Sequence, residues 1–365
     1  MALNVLHISP TFFDEASYIG GAERYTWELA RAMARKANVE LLTFGPKPKD
    51  ITRDNVRIHT LRWMPIINHP LASNPFTPSF VNAIRRADVV HCYQVNALST
   101  NAAVVAGKLF NRPVFVTDLG GGDVYAPSNY LPITRMATGL LVVSEYSREM
   151  WRARPLSKRP ERMDVIYGGV DTDYFSPKGE RERGLVVYVG RLVPHKGLEH
   201  LIDAIEPPLT LRLAGRPYDQ GYLAMLKERA KGKPVIFEHD LDDASILDRY
   251  RRAMVFGLPS VATDFRGKTT ASTELFGLVL VEAMACGTPP IVTREASHPE
   301  IISDGVTGVI VPPEDPIALR AKLMEFYNHP ELAVEMGLRG RADVLKRFTW
   351  DATSDRCLAA YGVTA

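Results

Sequence analysis

Short apolar, β-branched runs recur along the first half of the chain, at Leu3–Ser9, Val39–Phe44, Val56–Leu61, Val89–Tyr93, Val114–Thr117, Gly139–Val143 and Asp164–Tyr167. Helical periodicity fills several of the gaps. Ala22, Tyr25, Leu29, Ala32 and Met33 stand at spacings of 3, 4, 3 and 1, one face of a helix. Short apolar strands alternating with helices predict a parallel sheet covered on both faces. The texture changes at Asp171–Arg183, where Pro, Gly and a charged run show neither period and read as a linker. Alternation then resumes with strands at Leu185–Val189, Leu209–Ala214, Val235–Glu238, Met254–Leu258, Ile291–Val292 and Gly308–Val311. The end is helical, from Ile317 through Arg347 and again from Trp350 to Tyr361. The expected fold class is α/β, two doubly wound domains with a hinge near residue 170. Ligands of such sheets bind beyond the C-terminal strand ends, so facing domains would hold a site in the cleft between them.

Composition narrows the function classes. A chain of 365 residues suits two domains at roughly 150 residues each. Hydrophobic residues at 46% and charged ones at 24% describe a soluble globular protein. Forty-four basic against 42 acidic side chains leave +2, too balanced for a protein whose main task is gripping nucleic acid. Cys92, Cys286 and Cys357 are too few and too scattered for a disulfide framework or a zinc site. No run of 18 apolar residues is present, and Met1–Pro10 lacks a signal-peptide pattern. A cytoplasmic enzyme is the expectation.

Three stretches carry candidate chemistry. Gly20–Gly21 precede the helix opening at Ala22–Glu23, where glycine lets a ligand approach backbone amides and the helix start favours negative charge. No G-x-G-x-x-G follows the first strand, which argues against a dinucleotide oxidoreductase. The second domain opens with VVYVGRLVPHKG, where Arg191 and Lys196 flank a strand-to-helix loop and can converge on a diphosphate. The third stretch is TELFGLVLVEAMACGTPPIV, residues 273–292. Glu282 lies eight positions after Glu274, and eight helical steps rotate about 80° beyond two turns, so one helix would not align the two carboxylates. A helix starting near Gly277 leaves Glu274 in the preceding loop. Its free N-terminus, the amides of Phe276 to Val279, can then be offered to a phosphate. Glu282 then sits one turn further in, among Val281, Ala283, Met284 and Ala285, where an unpaired carboxylate is costly and a partner is expected.

These residues carry a family resemblance along nearly the whole chain. The motifs are GGAE at Gly20–Glu23, YGGVDTDYFSP at 167–177, VGRLVPHKG at 189–197, LPS at 258–260 and Glu-x7-Glu at Glu274 and Glu282. EAMACGTPPIV at 282–292, DGVTG at 304–308 and FTW at 348–350 follow. The chain resembles a retaining glycosyltransferase of family 4, with the GT-B fold of two Rossmann-like domains facing a deep cleft. The resemblance implies an N-terminal acceptor domain over 1–168, onto which 348–365 packs back, and a C-terminal donor domain over 169–347. It implies transfer of a hexose from a UDP- or GDP-sugar to a hydroxyl of a glycan, lipid-linked or small-molecule acceptor. Arg191 and Lys196 would contact the donor diphosphate and Glu282 the ribose. Glu274 and the amides of Phe276, Gly277 and Leu278 would hold the sugar and distal phosphate, with Gly21 across the cleft. No cofactor or metal is expected, because the cations and the helix terminus supply the neutralisation.

One departure stands out. Family members commonly carry a histidine after the fifth strand, in a T-x-H pattern, and here VFVTDLGGGDV places Leu119 there. His91, Asp118 and Asp123 are the acceptor-side candidates that remain, His91 with a competing structural reading. Residues 63–80, Pro- and Asn-punctuated and apolar, read either as an acceptor or membrane lip or as a loop tucked onto the core. Arg148, Arg152, Arg154, Lys158, Arg159 and Arg162 lie beside Trp151, as a solvated helix face or as a weak peripheral contact with anionic lipid. Two other functions fit the architecture, a nucleotide-sugar epimerase and a non-catalytic homologue.

Overall fold

The computed structural model describes residues 2–10, 21–62, 75–120, 127–270 and 273–362. These form two compact units, one of residues 1–169 with 350–365, the other of 170–349.

The first unit holds β1 (Asn4–Ile8), β2 (Asn38–Gly45), β3 (Lys49–Arg53), β4 (Val56–Arg62), β5 (Val89–Tyr93), β6 (Val114–Asp118), β7 (Gly139–Val142) and β8 (Met163–Val165). Their order is β3-β4-β2-β1-β5-β6-β7-β8, with every neighbouring pair parallel except β3–β4. Helices α1 (Gly21–Met33), α2 (Val81–Arg86), α3 (Leu98–Leu109) and α4 (Glu145–Arg152) alternate with the strands. The core is continuous, from Leu6 and Ile8 on β1 through Val90 and Cys92 on β5 to Leu140 and Val142 on β7. Phe76 and Phe80 pack against it. The beginning of the expected lip, residues 63–74, lies outside the described residues.

Strand β3 has no counterpart in the hydrophobic pattern, and the reason is its position. All five of its residues are exposed on the sheet edge, so nothing selects apolar alternation there. Charged side chains on an edge instead discourage pairing with another chain. The hairpin to β4 turns through Asp54 and Asn55 at φ 49° and 63°, the left-handed pair that a tight antiparallel turn requires.

The second unit holds β9 (Leu185–Val189), α5 (Leu198–Ala204), β10 (Thr210–Ala214), α6 (Gln220–Arg229), β11 (Val235–Glu238), α7 (Asp243–Arg252) and β12 (Val255–Leu258). It continues with α8 (Leu278–Ala285), β13 (Pro290–Thr293), α9 (His298–Ile301), β14 (Val309–Val311), α10 (Pro316–Asn328) and α11 (Pro330–Arg347). The all-parallel order β11-β10-β9-β12-β13-β14 reverses between β9 and β12. That reversal opens a crevice at the C-terminal strand ends, where an open α/β sheet takes its ligand.

Two expectations need correction. The supposed linker is packed onto the second unit: Phe175 is buried against Tyr250 at 6.1 Å, and Arg181 donates to Ala253 O and Thr288 Oγ1 at 2.8 and 2.6 Å. Its Pro-, Gly- and charge-rich texture lacks a period because it forms no element, yet single side chains still anchor it. The expected helix 317–347 is two helices that break at His329, because Pro330 cannot donate a backbone bond and opens a new first turn instead. Helix α12 (Trp350–Ala360) belongs to the first unit. There Trp350 meets Tyr25 edge-on, and Lys36 and Asp355 pair at 2.5 Å. Phe348, two residues earlier, stays in the second unit against Phe276.

Candidate functional site

Two connections leave the crevice end of the second sheet and bring the candidate residues together. After β9 the chain turns through a short 3-10 helix, Pro194–Lys196, into α5. Gly197 makes this turn at φ 60°, and a Cβ there would sit 2.3 Å from Pro259 O, so the close approach to the β12 connection needs glycine. Lys196 is thereby carried inward and almost fully buried. After β12 the chain reaches Glu274 and then enters α8 through Gly277 at φ 86°. A Cβ on Gly277 would meet Leu280 Cδ1 at 3.0 Å and Glu274 Cγ at 3.4 Å, so a side chain would be strained and crowded against the carboxylate.

At the centre Lys196 Nζ donates to Glu274 Oε2 in a buried ion pair, and also approaches Thr273 O at 3.4 Å. Burial raises the Glu274 carboxyl, but the charge and hydrogen bond of Lys196, with smaller help from His298 and His195, together hold it below the usual carboxylate range. Two histidines border the pair. Burial, together with the Lys196 and Arg191 charges, drives His195 down to about 4. Burial takes His298 to about 4 as well, with Nδ1 donating to Thr293 O at 2.8 Å. Both are neutral near pH 7, so among the described residues the charge around His195 comes from Lys196, Glu274, Arg191 and Asp264. Arg191 is exposed at the end of β9, beside the ring of Tyr218, and its carbonyl accepts from Tyr188 Oη at 2.7 Å.

Helix α8 starts at Leu278, as the loop placement of Glu274 requires. Phe276 packs its ring on Phe348, which makes its side chain structural and leaves its peptide as the part that could serve a ligand. Glu282 is buried among apolar neighbours, and the partner expected for it is Tyr250, whose hydroxyl donates to Oε2 at 2.9 Å. Helix α8 has no basic residue in its own last turn. Arg181 and Arg341 come from elsewhere to donate to Cys286 O and Ala285 O, so cations still meet the negative end of the helix.

Several contributors are invisible in the sequence pattern. Ser297 donates from both N and Oγ to Glu274 O, at 3.3 and 3.0 Å, and so fixes the backbone of the loop glutamate. Tyr250 and Arg181 also have no motif. Each reaches its target from a separate connection, which only the folded topology reveals.

The first-unit candidates divide differently. Gly21 is the first residue of α1. Asp118 ends β6, with Oδ2 accepting from Trp151 Nε1 at 2.8 Å and Oδ1 from Gly120 N at 3.2 Å; burial nonetheless raises its carboxyl. Asp123 lies outside the described residues. Of the two readings of His91, acceptor-side and structural, the burial favours the structural one. The residue is fully buried, with Nε2 at 2.6 Å from Thr117 Oγ1 and Nδ1 at 2.6 Å from Tyr361 Oη, so neither ring nitrogen is left for an acceptor.

Comparison with known proteins places this geometry in context. Residues 171–343 match the model for glycosyl transferases group 1, and residues 19–174 the model for glycosyltransferase family 4. An uncharacterised glycosyltransferase of Methanocaldococcus jannaschii is 30% identical over 72% of this chain and 72% of its own. Alpha-maltose-1-phosphate synthase of Mycobacterium tuberculosis is 27% identical over 94% of this chain and 95% of its own. D-inositol 3-phosphate glycosyltransferase of Segniliparus rotundus is 30% identical, but the match spans 55% of this chain and 47% of that protein. Among solved structures, sucrose-phosphate synthase from Thermosynechococcus elongatus superposes with a TM-score of 0.76 at 22% identity, covering 98% of both chains. Anabaena HepE in complex with UDP-glucose gives 0.69 at 18% identity over 99% of each. The fold is GT-B, and the chain belongs to glycosyltransferase family 4.

Proposed function

We propose that the protein transfers a hexose from a UDP- or GDP-linked sugar to an acceptor hydroxyl with retained anomeric configuration, in the cytoplasmic synthesis of a glycan, polysaccharide or glycolipid. The buried Lys196–Glu274 pair at the start of α8 carries this reading. A buried ion pair is a poor source of stability, since desolvating two charges offsets much of their attraction. A site that must bind a diphosphate and a sugar has use for both halves. Lys196 and Arg191 face the phosphates, Glu274 the sugar hydroxyls, and Glu282 the ribose.

The leaving diphosphate gains charge as the glycosidic bond stretches, while the sugar becomes oxocarbenium-like. Cations and amides held at the phosphate therefore bind the transition state more tightly than the ground state. Retention follows from attack on the face the diphosphate leaves, with the departing phosphate assisting the acceptor. In this reading Lys196, Arg191 and the α8 terminus supply the neutralisation, and the reaction needs no metal. Support for a nucleotide-sugar donor comes from the UDP-glucose bound to Anabaena HepE, and for polar small acceptors from the inositol phosphate named for the Segniliparus relative.

A panel of nucleotide sugars read by melting temperature tests the reading. The true donor at 100 times its dissociation constant stabilises the fold by about 2.7 kcal/mol. Labelled donor then gives transfer or hydrolysis that EDTA leaves unchanged. Isomerisation of the sugar without acceptor would replace transfer by epimerisation, and no shift with any nucleotide would overturn the reading.

A further inference from the structure

The first unit carries a second charged region, remote in sequence from every donor residue. Between Tyr130 and Arg162 stand seven cations, Arg135, Arg148, Arg152, Arg154, Lys158, Arg159 and Arg162, against Glu145, Glu149 and Glu161. That is +4 from 7 − 3, while the whole chain carries +2, so the remainder is −2. On α4 the cations are answered locally, Arg148 by Glu145 and Arg152 by Glu149 at 2.7 Å, as on a solvated helix face. Arg162 pairs with Asp164 at 2.7 Å.

Beyond α4 the arrangement changes. Arg159 Nη1 donates back to Arg152 O at 2.5 Å, Lys158 Nζ to Asn129 O at 2.6 Å, and Arg135 Nη1 to Leu156 O at 3.4 Å. These bonds shape a hollow of about 540 Å³ that Arg135, Arg152 and Arg159 line together with Leu156 and Met163. Glu161 is the lone acid in its lining, 3.8 Å from Arg135. The short turns 132–136 and 156–158, which contribute Arg135 and Leu156 to it, and the connection at Tyr130–Leu131 also expose large apolar side chains. Leu156 is 67% exposed, Tyr130 72%, Leu131 55% and Met136 42%.

We propose that this face docks the protein on an anionic lipid bilayer. A soluble phosphate would need only the guanidiniums and would leave the four exposed apolar side chains without a role. The headgroup layer of an anionic bilayer answers both. Phosphates enter the arginine-lined hollow, while Leu131, Leu156, Met136 and the Tyr130 ring sit at the acyl boundary. Among the described residues no helix is long and apolar enough to cross a membrane, so the contact is peripheral.

Co-sedimentation of the whole protein with phosphatidylcholine vesicles, with and without phosphatidylglycerol, tests this without donor or acceptor. Binding to the anionic vesicles alone, weakened by salt, is expected. Each cation near an anionic leaflet strengthens binding about fivefold, so Arg135→Ala, Arg152→Ala and Arg159→Ala together reduce it about a hundredfold. Leu131→Ser with Leu156→Ser reduces it at least about tenfold and leaves every charge in place. An unchanged melting temperature verifies the fold of each variant, and the leucine pair serves alone should the arginine triple not fold. No vesicle binding, or equal binding to both vesicle types, overturns the proposal. So does binding that inorganic phosphate abolishes and the leucine changes spare, which would make the hollow a pocket for soluble anions.

Discussion

Both sheets reverse their strand order beside the first strand of the unit, yet the two units fill that place in opposite ways. In the second unit the strands at the reversal, β9 and β12, feed loops that bury a lysine and a carboxylate against each other and open onto a helix start. In the first unit the strands are β1 and β5, and they carry His7, His91 and Tyr93, all fully buried. Tyr361, at the end of α12, closes the cluster through His91. His7 Nδ1 lies 2.6 Å from Tyr93 Oη and Nε2 3.4 Å from Met33 Sδ. Thioether sulfur is only an acceptor, so Nε2 carries the proton and Nδ1 accepts from the tyrosine. His91 sits between two hydroxyls, and each hydroxyl can donate or accept, so either neutral tautomer is satisfied. Burial drives both histidines far below their ordinary value. One unit thus buries a charged pair beside its reversal point, and the other uses neutral polar groups as core.

The largest effect that would break this contrast is expected at the ion pair. Lys196→Ala removes a cation from the proposed leaving group, and such a loss raises a barrier by roughly 3–4 kcal/mol, a fall in kcat of about 10²–10³. Glu274→Ala should do comparable damage by freeing the sugar. Donor hydrolysis and transfer rates measure both. If either variant keeps its full rate, the pair is structural and the difference between the units disappears.

How much of this could be read along the chain follows from what each feature depends on. Buried parallel strands are apolar by necessity, so β1, β2, β9, β12 and β13 announce themselves, while exposed edge strand β3 has no such constraint. Glu274, Glu282, Arg191 and Lys196 were legible because the family spacing ties them to one loop and one helix start. Ser297, Tyr250 and Arg181 were not, since each meets its partner 23, 32 or more than 100 positions away and nothing local marks it. His91 shows the converse limit. A histidine at a strand end looks available until α12 returns from the other end of the chain and places Tyr361 on it.

Acid provides the next test. A histidine that is neutral and buried when folded binds its proton only on unfolding, so the unfolded state takes up more protons below the ordinary histidine value near 6.5. Stability is therefore full above that value and is lost as pH falls toward the folded one, about 3 for His7 and about 4 for His195 and His298. Each such histidine contributes a slope of about 1.4 kcal/mol per pH unit, roughly 2 kcal/mol between pH 6.5 and 5. Glu274 acts in the same direction but later, since its depressed carboxyl holds its contribution until pH drops through the carboxylate range. Urea midpoints from pH 7 to 4 measure the sum. His7→Gln should flatten the slope by one histidine's share, and an unchanged slope would mean that His7 is already protonated or solvated in the folded protein.

The smallest expected effect isolates the closure by α12. Tyr361→Phe keeps the ring, which contacts Phe115 at 5.0 Å between centroids, and deletes only the hydroxyl that meets His91 Nδ1. His91 then retains Thr117 as a partner and leaves one nitrogen unsatisfied in the core, at a cost of about 1–2 kcal/mol. Because the change lies in the first unit, the melting shift given by the donor nucleotide stays at its original size. A loss of stability with an intact nucleotide shift means that the histidine–tyrosine cluster is core. A loss of transfer without a loss of stability would instead return His91 to the acceptor side, and the two reversal points would then both be sites.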